Sequence, residues 1–192
     1  MSDHPVEGSF SPDHSCSNCS PSDNVDIQIK TDHKNPALSG IPVQDEFAPN
    51  SICFGCGPSN KEGLQLKSYR YKNGLIAEFE CEEKHQAFHG VINGGIIGSL
   101  IDCHGNWTAA MAIMDKNNWE RPRCTVTAQY EIKLKRPTPF GTKLKLISRV
   151  LGLQEDRAEV VIELKAEGKT CATGRGLFVA VKEGHPAYHR WH

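Results

Sequence analysis

The sequence predicts an α+β fold in which one antiparallel, curved sheet wraps around one long central helix. Three observations carry that reading. The only long helical segment opens at Asn93-Gly94-Gly95 and runs through Trp107, Ala110 and Met114 to Asn117-Asn118, a pair that suits a helix end. It is apolar almost all round, a pattern that needs cover on most of its circumference. Beyond Pro122 come four runs of alternating apolar and polar residues, the period of strands with one buried face. The further helices that a parallel sheet requires are missing.

Each element can be justified in order. Residues 1 to about 48 are rich in Ser, Asp, Asn, His and Pro, with too few large apolar side chains to offset chain entropy, so a disordered polar tail is expected there. The folded domain is expected over 49–185, with a short C-terminal tail over 186–192. Residues 63–71 alternate, Lys72-Asn73-Gly74 is turn material, and 75–81 alternate again, which together read as a hairpin. A short polar connection spans 82–88. After the helix, strands are expected over 124–135, 142–151, 157–166 and 170–182, and the last two links, 152–156 and Glu167-Gly168-Lys169, are hairpin turns.

Composition excludes several classes of function. With 192 residues, 38% hydrophobic composition and a formal net charge of -1, the chain is long enough for one domain with a real core. No stretch approaches the roughly 18 apolar residues of a membrane-spanning helix, and no run of basic residues suggests nucleic acid. The start, Met1-Ser2-Asp3-His4-Pro5, lacks the cationic and apolar parts of a signal peptide, so a cytoplasmic location is expected. Of the eight cysteines, Cys81, Cys103, Cys124 and Cys171 fall singly in apolar or strand-like runs, where a reduced thiol behaves as a small hydrophobe. The others form two pairs, Cys16-Ser17-Asn18-Cys19 and Cys53-Phe54-Gly55-Cys56. Two such knuckles can build a tetrahedral zinc site, but here that requires ordering the long polar segment between them, so no metal is expected and the tail is read as disordered with two free thiols.

Three motifs in order point to a family. Asn93-Gly94-Gly95-x6-Asp102 at the helix start is similar to the His-Gly-Gly-x6-Asp motif of the hotdog-fold acyl-CoA thioesterases, in the branch of the phenylacetate-pathway (PaaI-like) enzymes. Cys53-Phe54-Gly55-Cys56-Gly57-x2-Asn60-x2-Gly63-Leu64, ahead of the first strand, and the run from Thr127-Ala128-Gln129-Tyr130 to Lys135-Arg136-Pro137 resemble the same group, so the resemblance covers about residues 50–183. It implies a hotdog fold and hydrolysis of acyl-CoA to free acid and coenzyme A, with no cofactor. The family's histidine is Asn93 here; an amide still donates and accepts hydrogen bonds, but an imidazole role at that position is lost.

Chemistry constrains the site further. Thioester hydrolysis needs a base or nucleophile near the acyl carbon and donors near its carbonyl oxygen. Asp102 supplies the first and the amide of Gly94, at a helix N-terminus, the second. Eight residues of helix separate them, about 12 Å at 1.5 Å per residue, so one carbonyl cannot touch both. Two antiparallel helices across a two-fold axis solve this, each glycine end meeting the other's aspartate, and a homodimer or a dimer of dimers is therefore expected. Asp102 is expected to be general base or nucleophile, and burial in an apolar helix should raise its pKa. Gly94 would polarise the carbonyl, with Asn93 fixing the loop. Thr127, at the position of a hydroxyl in the related enzymes, would orient water or carboxylate, unless it is an ordinary strand residue. Lys133, Lys135 and Arg136 are candidates for the phosphates of coenzyme A, or else a solvated strand face. Phe88, Ile96, Ile97, Trp107 and Met111 suggest an apolar acyl or aryl group. His104, about 200° around the helix from Asp102, reads as a core or interface histidine. Two other functions stay open: a 3-hydroxyacyl thioester dehydratase pairing His89 with Asp102, with His85 as a further candidate, and a non-catalytic acyl-CoA binder.

Overall fold

The computed structural model describes Leu38 and residues 40–191; these lie in one compact unit. Most of the expected tail, including Cys16 and Cys19, lies outside the described residues. The elements run α1 (Val43–Phe47), β1 (Ser68–Tyr71), β2 (Gly74–Glu80), a 3₁₀ turn (Glu83–His85), β3 (Gln86–Phe88), β4 (Val91–Ile92), α2 (Gly94–Asn117), β5 (Thr125–Leu134), β6 (Lys143–Leu153), β7 (Arg157–Ala166) and β8 (Lys169–Ala180). Six strands form one sheet in the order β1-β2-β6-β7-β8-β5, antiparallel at every step. The predicted architecture is the observed one: α2 lies across β2, β5, β6, β7 and β8.

Local chemistry sets the ends of α2. The Asn93 side chain accepts from the Gly95 amide at 2.7 Å, satisfying one of the donors that a helix start leaves open. At the other end Asn118 takes the left-handed conformation, φ 52°, which closes the last turn. Between them nearly every residue from Ile97 to Met114 is buried, as an apolar helix against a curved sheet must be. The approach is close. A Cβ on Gly174 of β8 would stand 2.3 Å from Ile101 Cγ2, and one on Gly105 of α2 would stand 2.7 Å from Phe178 Cζ, so glycine is what lets helix and sheet meet there.

The structure corrects three boundaries. The first strand begins at Ser68 rather than 63 because Gln65 sits at φ 50°; the Leu64 and Leu66 amides bond instead to the carbonyls of Phe54 and Gly55. The connection over 82–88 holds a 3₁₀ turn and β3, which pairs with β4. Order also reaches past 49–185 at both ends. Val43 and Gln44 of α1 are buried, and Gln44 Nε2 donates to Ser68 Oγ at 3.1 Å. At the far end Trp191 is buried and stacks on Trp107 with ring centroids 4.1 Å apart. Among the predicted core cysteines, Cys103, Cys124 and Cys171 are buried and Cys81 is half-buried. No helix among the described residues is long and apolar enough to cross a membrane.

Candidate active site

Asp102 lies in the third turn of α2, half-buried where its neighbours Ile101 and Cys103 are fully covered. The Thr127 hydroxyl donates to its Oδ1 at 2.7 Å. A bulge in β5 aims that hydroxyl: Thr127 stands opposite Phe178 and Gln129 opposite Leu177, leaving Ala128 as an extra residue. Such an insertion reverses which face later residues present, so Thr127 and, beyond the bulge, Ile132 and Leu134 all turn toward α2. The last two lie beside its glycine end: Cβ atoms on Gly98 and Gly94 would stand 3.5 Å from Ile132 Cδ1 and 3.4 Å from Leu134 Cδ1.

Opposing influences set the acidity of Asp102. Burial is the largest and raises its pKa, the Thr127 hydrogen bond lowers it, negative charge on the Cys53 sulfur raises it and the Arg190 guanidinium lowers it; the net direction is upward. Arg190 was not foreseen. Its Nε donates to Cys124 Sγ at 2.8 Å and its Nη2 to the Thr125 carbonyl at 2.6 Å, which seats a cation from the expected C-terminal tail beside the carboxylate. Cys53 is equally out of reach of a local reading, because it comes from the loop before β1 and stands 3.7 Å, sulfur to sulfur, from Cys103.

The glycine end is exposed at Asn93, Gly94 and Gly95. Because Asn93 satisfies the Gly95 amide, and first-turn amides have no intrahelical acceptor, the donors that helix geometry leaves for an incoming oxygen are those of Gly94 and Ile96. Within one chain Asp102 lies eight residues further along the same helix, about 12 Å away. The structure thus joins Asp102 to Thr127 and Asn93 to the helix start, and leaves those two halves apart.

Other predicted residues are placed differently. Lys133, Lys135 and Arg136 are all exposed at the end of β5, and Lys133 Nζ pairs with Glu131 at 3.5 Å. Alternation puts those two on the face opposite Ile132 and Leu134, away from α2. Ile97, Trp107 and Met111 do not line an open acyl channel: each is at most 3% exposed, and Trp107 is held by Trp191 and by its own Nε1–H bond to Cys56 Sγ at 3.4 Å. Phe88 is exposed and Ile96 half-buried. His85 is structural. It is buried, its Nδ1 accepts from the Glu82 amide at 3.0 Å, and its ring stacks on Phe79; burial pulls its pKa down. His89 sits on the exposed turn between β3 and β4. His104 is a core histidine, as expected: Nδ1 meets Ser68 Oγ at 2.9 Å and Nε2 the Leu75 carbonyl at 3.3 Å, and burial pushes its pKa down to about 4.

An antiparallel sheet curled around one long helix defines the hotdog class. Comparisons with known proteins then give the family. A family model described as the thioesterase superfamily matches residues 89–173. A thioesterase superfamily protein from Shewanella loihica PV-4 is 31% identical, with a TM-score of 0.53 over 65% of this chain and 98% of that one. The PaaI protein from the phenylacetic acid degradation operon of E. coli is 19% identical, with a TM-score of 0.52 over 62% and 81% of the two chains. The smu.793 protein of Streptococcus mutans UA159, solved bound to acetyl CoA, is 16% identical, with a TM-score of 0.51 over 60% and 88%. These last two share the fold. No protein of curated function matches the sequence. The chain belongs to the thioesterase superfamily.

Proposed function

We propose that this protein hydrolyses acyl-CoA thioesters to the free acid and coenzyme A, at sites composed from two copies of the chain. The observation that carries this is the 2.7 Å bond from Thr127 to a half-buried Asp102. A carboxylate with a raised pKa and one oxygen fixed by a hydroxyl is a better base than a solvated one and is held in one orientation. In the base mechanism Asp102 takes a proton from water as the water oxygen bonds to the acyl carbon. The amides of Gly94 and Ile96, from the other chain's helix, receive the carbonyl oxygen as it gains charge. When the oxygen recloses to the acid the C–S bond breaks, and the proton on Asp102 passes to the departing sulfur. In the nucleophilic variant Asp102 itself bonds to the acyl carbon as the C–S bond breaks and coenzyme A leaves as its thiolate; water then opens the mixed anhydride to the free acid and the Asp102 carboxylate, and the proton released goes to the thiolate. Asn93 keeps the helix start in register through its cap. Lys133, Lys135 and Arg136 would meet the phosphates of coenzyme A, with Lys133 weakened by its pairing to Glu131.

A panel of short-, medium- and long-chain and aryl acyl-CoAs, with released thiol followed by a dye and corrected for the protein's eight cysteines, tests the proposal. Turnover by the wild type that is lost in a folded Asp102→Asn variant is the expected result. Binding of acyl-CoA without release of coenzyme A across the panel would instead make the protein a carrier or sensor. Label found in the carboxylate of Asp102 after one turnover in ¹⁸O-water establishes the nucleophilic variant, because it enters there only when the anhydride forms and is opened on the enzyme's side.

A further inference from the structure

Three cysteines from distant parts of the sequence converge behind the carboxylate. Cys53 and Cys56 come from the loop before β1, Cys103 from α2, and their three Sγ atoms all lie within 4.8 Å of one another. The fold is shaped for this meeting. A Cβ on Gly55 would stand 2.4 Å from Cys103 Sγ, and one on Gly57 would stand 2.4 Å from the Cys53 nitrogen, so the Cys53-Phe54-Gly55-Cys56-Gly57 turn closes onto the helix only with glycine at both places. Cys53 and Cys103 are 3.7 Å apart. For zinc–sulfur bonds of about 2.3 Å in a tetrahedron, neighbouring thiolates stand roughly 3.8 Å apart. The Trp107 Nε1–H that donates to Cys56 Sγ at 3.4 Å is the kind of outer donor that fixes a metal-bound thiolate.

We propose that Cys53, Cys56 and Cys103 form a three-thiolate site for Zn²⁺, with water as the fourth ligand, which fastens the loop before β1 to the turn of α2 that follows Asp102. Charge argues the same way. Three crowded thiols of this kind give up all their protons only to a cation, and the protons go to solvent as the metal binds. The site needs no contribution from Cys16 or Cys19, and it stands whether or not the protein is a hydrolase.

The test uses the full chain, reduced, stripped with a chelator and titrated with Co²⁺ and then Zn²⁺. The expected result is one Co²⁺ per chain, with intense thiolate-to-cobalt charge-transfer absorption and tetrahedral visible bands, both erased by equimolar Zn²⁺. A Cys16→Ser/Cys19→Ser double variant keeps the signal, whereas Cys103→Ala and the half-exposed Cys53→Ser lose it with far-ultraviolet circular dichroism unchanged. If Cys103→Ala does not fold, Cys53→Ser decides alone. Absence of charge-transfer bands in the reduced wild type would overturn the proposal, as would bands that survive Cys53→Ser. Bands lost in the Cys16/Cys19 variant would overturn it in favour of a site built from the two knuckles.

Discussion

At Asp102 burial and a hydroxyl act in opposite directions, and removing the hydroxyl exposes the balance. Thr127→Val deletes an influence that lowers the carboxylate pKa, so the pKa rises further. The acidic limb of the kcat/KM profile should then move to higher pH while kcat falls on the order of tenfold to a hundredfold; a pH–rate series on both proteins checks it. His104 supplies a second residue-scale prediction, for stability. Its folded pKa lies near 4, below the ordinary 6.5, so the unfolded chain binds the proton first as pH falls. Its contribution is fully present above about pH 6.5 and is lost as pH falls toward 4, roughly 3 kcal/mol across that window. Urea midpoints should drop from pH 7 to pH 4, and His104→Gln should be less stable at neutral pH yet show a flatter dependence. Asp102 and the glycines were legible because unusual residues at helical spacing announce themselves in one segment. Arg190 and Cys53 were not, since what brings them to Asp102 is the docking of remote segments rather than anything in their own neighbourhood.

Among the elements, the start of α2 offers the cleanest test of the oxyanion reading. Proline is tolerated at the first helical position because its missing amide had no helical partner. Asn93 already holds the extended conformation, φ -62° and ψ 134°, that proline demands of its predecessor. A Cβ at Gly94 meets only Leu134 Cδ1, at 3.4 Å. Gly94→Pro should therefore fold like the wild type while losing the donor, with kcat down about 10²- to 10³-fold and thermal unfolding nearly unmoved. Gly174→Ala should do the reverse, since its Cβ would collide with Ile101: a loss of about 1–3 kcal/mol, seen in the urea midpoint. Periodicity made the helix and six of the strands legible, as each has one buried face or is covered all round. The bulge at Ala128 leaves no mark in composition, and the left-handed Gln65 that delays β1 carries no glycine to flag it.

For the whole molecule the question is what lies beyond β5. That strand ends the sheet, is ten residues long, and leaves Tyr130 and Leu134 at 50% and 58% exposed. A long edge with open backbone groups and large exposed side chains invites pairing, and a second copy there would carry a second helix toward the first. If each site takes Asp102 from one chain and Gly94 from the other, two inactive proteins should rescue each other. Asp102→Asn and Gly94→Pro, unfolded and refolded together in equal amounts, should recover about a quarter of wild-type activity, because half the dimers are mixed and each holds one intact site. A mixture no more active than its parts, although mixed dimers have formed, would overturn the composite site.

The stacked Trp107 and Trp191 rings, 9° from parallel, are two of only three tryptophans in the chain. Two indoles so close couple as one chromophore, so the protein carries its own optical gauge of whether its last residues are seated. The coupled signal in near-ultraviolet circular dichroism should vanish on truncation after Arg190, and would do so without any label being attached.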